Sequence, residues 1–353
     1  MIRGAHAIID LAALSHNFQR VKQLAPNSKV MAVIKADAYG HGMLQVAKTL
    51  SDADGFAVAC LAEARVLREA GITQAITVLQ GFRDADELQA MISQRLRPVI
   101  HQHWQLELLE RLAQGELEIW FKVNTGMGRL GFALEQAGDI WSRLQACKHV
   151  SHCGLMSHFA NADEPDHALN SQQLQCFQQL AQEFAAETTL ANSAGLIAFD
   201  QAQGDWVRPG IMLYGSSPLI GQTAAELELK PVMQLKSRII AINHLSKGQP
   251  VGYGSNWLCP QDMPVGVVGI GYGDGYPRHA RSGTPVWIAG KPSQLLGRVS
   301  MDMITVDLRN IEQAQIGDEV ELWGNTLSVD EVAQHADTIS YELLCNMKAC
   351  RTS

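Results

Sequence analysis

Between residues 29 and 214 the chain alternates two patterns: short runs of β-branched and other apolar residues, and longer stretches in which apolar positions return every three or four residues. The short runs Lys29–Lys35, Gly55–Cys60, Ala75–Gln80, Arg97–His101, Leu117–Val123, Val150–His158, Thr188–Asn192 and Trp206–Tyr214 predict eight strands. The stretches Leu61–Ala70, Asp84–Gln94, Trp104–Gln114, Leu134–Cys147 and Leu169–Glu187 predict amphipathic crossover helices. Such alternation folds into a parallel sheet with right-handed crossovers, and eight strands favour a closed barrel. Beyond about Leu227, Pro, Gly and Asp punctuate short Val- and Ile-rich runs such as Met263–Tyr272, Thr284–Ile288 and Glu319–Trp323. The expected fold is α/β: an N-terminal (β/α)8 TIM-type barrel over residues 1–229, then a second, mainly β C-terminal domain over residues 230–353. His6–Asp10 reads as one more strand, through which residues 1–10 join the β domain.

Composition narrows the partners. The 353 residues are 46% hydrophobic and 18% charged, ordinary for a globular chain, and the net charge of -8 leaves no clustered excess of Lys and Arg with which to neutralise phosphates. The partner expected is a small molecule and not a nucleic acid. Met1–Asp10 carries no continuous apolar h-region, and no stretch approaches the roughly 18 apolar residues of a membrane span. A cytoplasmic protein without membrane contact is expected. Seven scattered cysteines without a C-x-x-C pair read as thiols in a reducing compartment. The pairs His101/His103 and His152/His158 lack companions at zinc-ligand spacing, so no metal is expected.

In a barrel of this kind the chemistry sits at the C-terminal ends of the strands. The first run ends in Lys35 directly after apolar Val33 and Ile34. A lysine at a strand end is usually an exposed edge residue, but a desolvated one loses its proton easily and attacks aldehydes. The fifth run opens into a glycine-rich loop, Lys122 to Gly131, whose Arg129 can clamp a carboxylate or phenolate. Two late runs end in Ser157–His158 and Asn192–Ser193, and the last contains Arg208–Pro209–Gly210–Ile211, hydroxyls and glycine amides of the kind that cradle phosphate.

These segments, in this order, resemble the bacterial alanine racemases, a fold-type III class of pyridoxal-phosphate enzymes. The resemblance rests on VIKADAYGHG at 33–42, KVNTGMGRLGF at 122–132, SHFANAD at 157–163, NSA at 192–194 and VRPG at 207–210. It continues through VGYG at 251–254, IGYGDGYPR at 270–278, GRVSMDM at 297–303 and SYELLC at 340–345, nearly the whole chain. It implies pyridoxal 5'-phosphate as cofactor, L- and D-alanine as substrates, and a homodimer with shared active sites. It implies that Lys35 carries the cofactor and acts as one base, and that Tyr253 of the neighbouring subunit is the other. It assigns the cofactor phosphate to Tyr39, Ser193, Tyr341 and the backbone of Gly210 and Ile211, with Asn192 beside them, and the ring nitrogen to Arg208. Arg129 and the Met301 amide would meet the substrate carboxylate, and His158 would lie between Arg208 and Tyr253. Lys122 matches a lysine that is carbamylated in some members. Asp163, Tyr272, Arg278, Arg298, Asp302 and Ile339 match a substrate entryway at the dimer interface, for which interfacial packing is the plainer alternative.

Three rival readings remain at this point. A fold-type III amino-acid decarboxylase would place a carboxylate opposite the ring nitrogen, where this chain has Arg208. A racemase of broader range is typically exported. A non-catalytic cofactor carrier of the same barrel class keeps the lysine but has no β domain and no counterpart of Tyr253. The chain departs from the family in its ending, Asn346 to Ser353, which lacks the Arg-Val-Pro often seen there. A weakened β domain is the expected consequence.

Overall fold

Eight short strands lie side by side and parallel: β2 (Lys29–Val33), β3 (Gly55–Val58), β4 (Ala75–Val78), β5 (Arg97–Ile100), β6 (Leu117–Lys122), β7 (Val150–Met156), β8 (Thr188–Asn192) and β9 (Trp206–Arg208). β9 pairs back onto β2, so the sheet is a closed barrel. The computed structural model describes residues 4–350, without the side chains of 348 and 349. Residues 1–3 of the N-terminal segment and 351–353 of the unusual C-terminus therefore lie outside the described residues.

The barrel strands are mostly apolar and buried, because one face meets the interior and the other meets the helices, though β6, β7 and β8 also carry polar residues such as Glu118, His152 and Thr189. Gly55–Val58, for example, is buried at every position. The last strand is shorter than the run Trp206–Tyr214 suggests. It stops at Arg208, where Pro209 removes a ladder donor, and Ile211–Tyr214 continues as a 3-10 turn. The helices follow the same logic: in Leu11–Leu24, Ala13, Leu14, Asn17, Phe18 and Val21 form the buried stripe, and the Asp10 carboxylate caps the first turn through the Ala12 and Ala13 amides.

At the N-terminal mouth of the barrel, Glu187 gathers Lys29, Arg97, His152 and the Trp206 indole. Trp120 packs edge-on against Trp206 there, and Gly154 is required beneath it, because a Cβ would stand 2.4 Å from the Trp120 ring. This end is a plug, which leaves the opposite mouth for the site.

The remaining strands are β1 (His6–Ile9), β10 (Met233–Leu245), β11 (Pro250–Val251), β12 (Trp257–Leu258), β13 (Met263–Val268), β14 (Pro285–Ile288), β15 (Lys291–Leu296), β16 (Ile304–Asp307) and β17 (Glu319–Trp323). Six of them close an antiparallel ring in the order β10-β13-β16-β15-β14-β17, with β10 pairing β17 again. β1 adds to β10, so the chain touches the ring before it enters the barrel. The 13-residue β10 serves several neighbours by means of register irregularities at Leu235/Lys236 and Ile239/Ala241. Among the described residues no helix is long and apolar enough to cross a membrane.

Candidate active site

Lys35 leaves β2 at the barrel mouth and opens a turn of unusual hand. Ala36, Asp37, Ala38 and Tyr39 all have positive φ, between 52° and 57°, which makes four consecutive left-handed residues. Each L-residue in that region costs roughly 1–2 kcal/mol, so the surroundings must hold the turn in place. The Glu63 carboxylate accepts from the Ala36 and Ala59 amides, both at 2.7 Å. The Asp37 carboxylate accepts from the Met43 amide at 2.8 Å. His41 Nδ1 sits 3.0 Å from the carbonyls of both Ala38 and Tyr39, so that nitrogen carries the proton. Gly40 closes the turn at φ 82°, against the Leu344 carbonyl.

That turn points Tyr39 into a group of rings. Tyr39 packs on Tyr214 at 4.8 Å and near Tyr341 at 5.8 Å, and Tyr214 stacks on His41 and donates to the Val33 carbonyl. Burial drives the Tyr39 and Tyr214 hydroxyls well above the usual phenol range, and pushes Tyr341 up to about 12, so all three remain donors. Opposite Tyr39 lies the end of β8. Asn192 caps the helix Ser193–Ala198 by accepting from the Gly195 amide, and Ser193 Oγ accepts from the Gly210 amide at 2.8 Å. Gly210 must lack a side chain, because a Cβ there would lie 2.7 Å from the Tyr39 hydroxyl. Tyr39, Ser193, Gly210 and Ile211 are thus brought together. Tyr341 joins them from the helix Ser340–Asn346, whose Ser340 shares a buried hydrogen-bond cluster with Ser216 and Asp330.

The other half of the mouth is cationic. Arg208 is 4% exposed and donates to Thr189 Oγ1 at 2.6 Å, to the Ser157 carbonyl at 2.7 Å and to the Leu190 carbonyl at 3.1 Å. It also reaches His158 Nδ1 at 3.1 Å. Arginine has no acceptor, so that nitrogen must receive the bond and the imidazole is neutral. The titration agrees: burial and the Arg208 charge hold His158 well below its ordinary value. Burial lowers Arg208 to about 10, which leaves it cationic at neutral pH. Lys35 is lowered by burial and by Arg129. Lys122 falls to about 7 through burial and the charges of Arg208, Arg129 and Lys35. Arg129, Lys122 and His158 line one cleft at the ends of β6 and β7.

Tyr253 stands elsewhere. It sits in a turn between β11 and β12, on the β ring, with 67% of its surface exposed. Its loop lies beside Arg298, and the Tyr272 loop is bonded to the Met301 segment through Tyr272 N to Ser300 O and Gly273 N to Met301 O. Met301 and Ile339 are likewise exposed, at 55% and 60%. Tyr272 and Arg278 line a groove shared with Asp337, Thr338 and Glu342. Asp163 lies close enough to Tyr341 to raise its pKa, and Asp302 follows Met301 on the same exposed surface.

Several residues of the site carry no mark in the sequence. Gln173, from the helix Ala168–Phe184, bonds Thr125, the His158 carbonyl and the Ala160 amide, and so ties the Arg129 loop to the His158 loop. Thr189 and Glu63 act the same way toward Arg208 and Ala36. Only their spacing from a strand end could have singled them out.

Two family models match the chain: the alanine racemase N-terminal domain over residues 9–218 and the alanine racemase C-terminal domain over residues 232–352. An alanine racemase of Nitrosococcus oceani is 52% identical over 97% of this chain and 96% of its own length. The biosynthetic alanine racemase of Pseudomonas aeruginosa superposes with a TM-score of 0.97 at 43% identity, over 99% of both chains. The alanine racemase of Bartonella henselae, crystallised with covalently bound pyridoxal phosphate, does so at 0.90 and 28%, again over 99% of both chains. With both of its parts matched and a half-identical relative along nearly its full length, the chain belongs to the alanine racemase family.

Proposed function

We propose that this chain interconverts L- and D-alanine with pyridoxal 5'-phosphate held at the barrel mouth. The observation that carries the reading is a half-buried Lys35, its pKa lowered by burial and by Arg129, beside a phosphate-type cradle of Tyr39, Ser193 and Gly210. The donor set fits the cofactor. Tyr39, Ser193 and Tyr341 offer hydroxyls, and the glycine at 210 lets the backbone of Gly210 and Ile211 come close to those of Tyr39 and Ser193, a donor set suited to a dianion. Asn192 fixes the helix start behind Ser193. When bound, the cofactor withdraws electrons from the amino-acid Cα and makes its proton labile.

The protein supplies the proton transfers and their geometry. Lys35 Nζ, lowered by burial, takes or returns a proton on one face, and Tyr253 Oη serves the other, so both enantiomers are reachable. Exposure of Tyr253 favours its delivery to a second copy of the chain, which makes the working unit a homodimer with shared sites. Arg208, cationic at neutral pH, would face the ring nitrogen and keep it unprotonated, which would restrain decarboxylation and transamination. Neutral His158 lies between Arg208 and the incoming Tyr253. Arg129 and the Met301 amide hold the substrate carboxylate. Lys122, half deprotonated near pH 7, is poised for carbamylation. Asp163, Tyr272, Arg278, Arg298, Asp302 and Ile339 form the entryway. Residues 1–229 make the cofactor-binding unit and residues 230–353 the unit that gives Tyr253 and the dimer contact, with residues 1–10 reaching across.

A coupled assay of the purified protein with L- and D-alanine, against serine, lysine and ornithine, tests this reading. Turnover of alanine in both directions is expected; no alanine turnover overturns it. Borohydride should fix the cofactor to Lys35, and a label mapped to another lysine would reassign the site.

A further inference from the structure

We propose that Glu63 is a positioning residue for the proton chemistry at Lys35: its carboxylate ties the Ala36 amide to the Ala59 amide and sets a negative charge against a cationic mouth. The proposal deepens the racemase reading and rests on it. Glu63 lies in the first turn of the helix Leu61–Glu69, half-buried, and spends one oxygen on each amide at 2.7 Å. Ala36 directly follows Lys35 and is the first of the four left-handed residues. An amide held there decides the direction in which the Lys35 side chain departs, and no residue of the turn itself holds it. Ala59 follows β3, so the same carboxylate joins the ends of two neighbouring strands.

The charge matters as well as the reach. The groups that act on the Lys35 amine are Arg129 from the loop after β6, Glu63, Cys345 on the helix Ser340–Asn346 and Arg208 on β9, and Lys35 in turn acts on Lys122 of β6 and His158 after β7. Burial and the arginines draw its proton off, and Glu63 opposes them. A lysine that must both take and return a proton needs that opposition, since an amine whose pKa is drawn too low is a poor base on the step that takes the proton.

Two variants separate charge from reach. Glu63→Gln keeps the length, removes the charge and turns an NH2 group toward one of the two amides. Glu63→Asp keeps the charge but is one methylene too short to span both. Each is measured for kcat and KM with L-alanine in the holoenzyme. In the cofactor-free full-length chain, the pH midpoint of Lys35 acylation is read by mass spectrometry. Glu63→Gln should lower kcat about tenfold with little change in KM, and move the Lys35 midpoint down by about half a unit. Glu63→Asp should lower kcat and leave the midpoint near that of the parent. A Glu63→Gln protein with parental kcat and parental midpoint, or one that loses thermal stability alone, overturns the proposal. If Glu63→Gln does not fold, Glu63→Asp decides: reduced kcat at an unshifted midpoint supports it, and parental kcat overturns it. A parent protein inactive on alanine would sink the racemase reading alone, because the midpoint is read on Lys35 itself.

Discussion

Lys122 gives up its proton far more easily than a free lysine does. Burial, Arg208, Arg129 and Lys35 lower it from 10.5 to about 7. Between those values the unfolded chain binds the proton and the folded one does not, so stability rises with pH across that window. Lys122→Met should flatten this slope, as read by thermal unfolding from pH 6 to pH 9; an unchanged slope would mean that another group supplies it. A neutral amine at physiological pH can also add carbon dioxide, and the resulting carbamate would sit among cations. Bicarbonate should therefore raise the thermal midpoint of the parent but not of Lys122→Met, and labelled bicarbonate should give a carbamate carbon signal that the variant lacks. Its place after an apolar run made Lys35 legible in sequence, while Lys122 and Arg208 were marked by the family motifs in which they lie. Glu63 was not, because a glutamate in a helix first turn ordinarily serves the helix dipole and solvent.

At the scale of elements, the left-handed turn is the feature with the least sequence signal. Ala36, Ala38 and Tyr39 prefer other conformations, and local backbone bonds, the His41 ring and the more distant Glu63 carboxylate together hold them. Gly40→Ala tests how tightly the turn is seated: a Cβ would strain a φ of 82° and meet the Leu344 carbonyl at 2.2 Å. It should cost about 2 kcal/mol or more in denaturant unfolding, and a loss below about 0.5 kcal/mol would show that the SYELLC helix simply moves away. The plug at the opposite mouth makes a separate prediction. Burial pushes Glu187 up, but bonds from Trp206, His152, Arg97 and Lys29 outweigh it and hold the carboxyl below 4.5. A depressed carboxylate stabilises above its unfolded pKa and loses that contribution as pH falls through the folded one. Glu187→Gln should then destabilise by about 1–3 kcal/mol at pH 7, with the gap narrowing below about pH 4.5. A gap independent of pH would deny the charge any part. The eight strands were readable because runs buried on both faces have few polar positions to confuse. The end of β9 was overrun because Ile211–Tyr214 is as apolar as a strand and differs only in the turn set by Pro209 and Gly210.

At the scale of the molecule, the proposed function divides one chemistry between the barrel mouth and the β ring. The mouth holds Lys35 within its cationic lining, while Tyr253, Met301 and Ile339 stand exposed on the ring and its neighbouring helices. Exposed apolar and aromatic surface of this kind is a candidate for contact with another protein surface. A two-fold contact would place Tyr253 of each chain at the mouth of the other. The sequence announced the ring through its change of pattern near Leu227, but the closure of six strands depends on β10 pairing at both ends, and no local run encodes that. Mixing two inactive variants decides whether the sites are shared. Lys35→Ala and Tyr253→Ala chains, unfolded and refolded together, would give heterodimers with one site lacking both residues and one site intact. With random pairing about a quarter of all sites should regain activity. If both residues served one site within a single chain, no mixture could contain an intact site. Heterodimers verified by mass and no more active than either parent would therefore exclude a shared site.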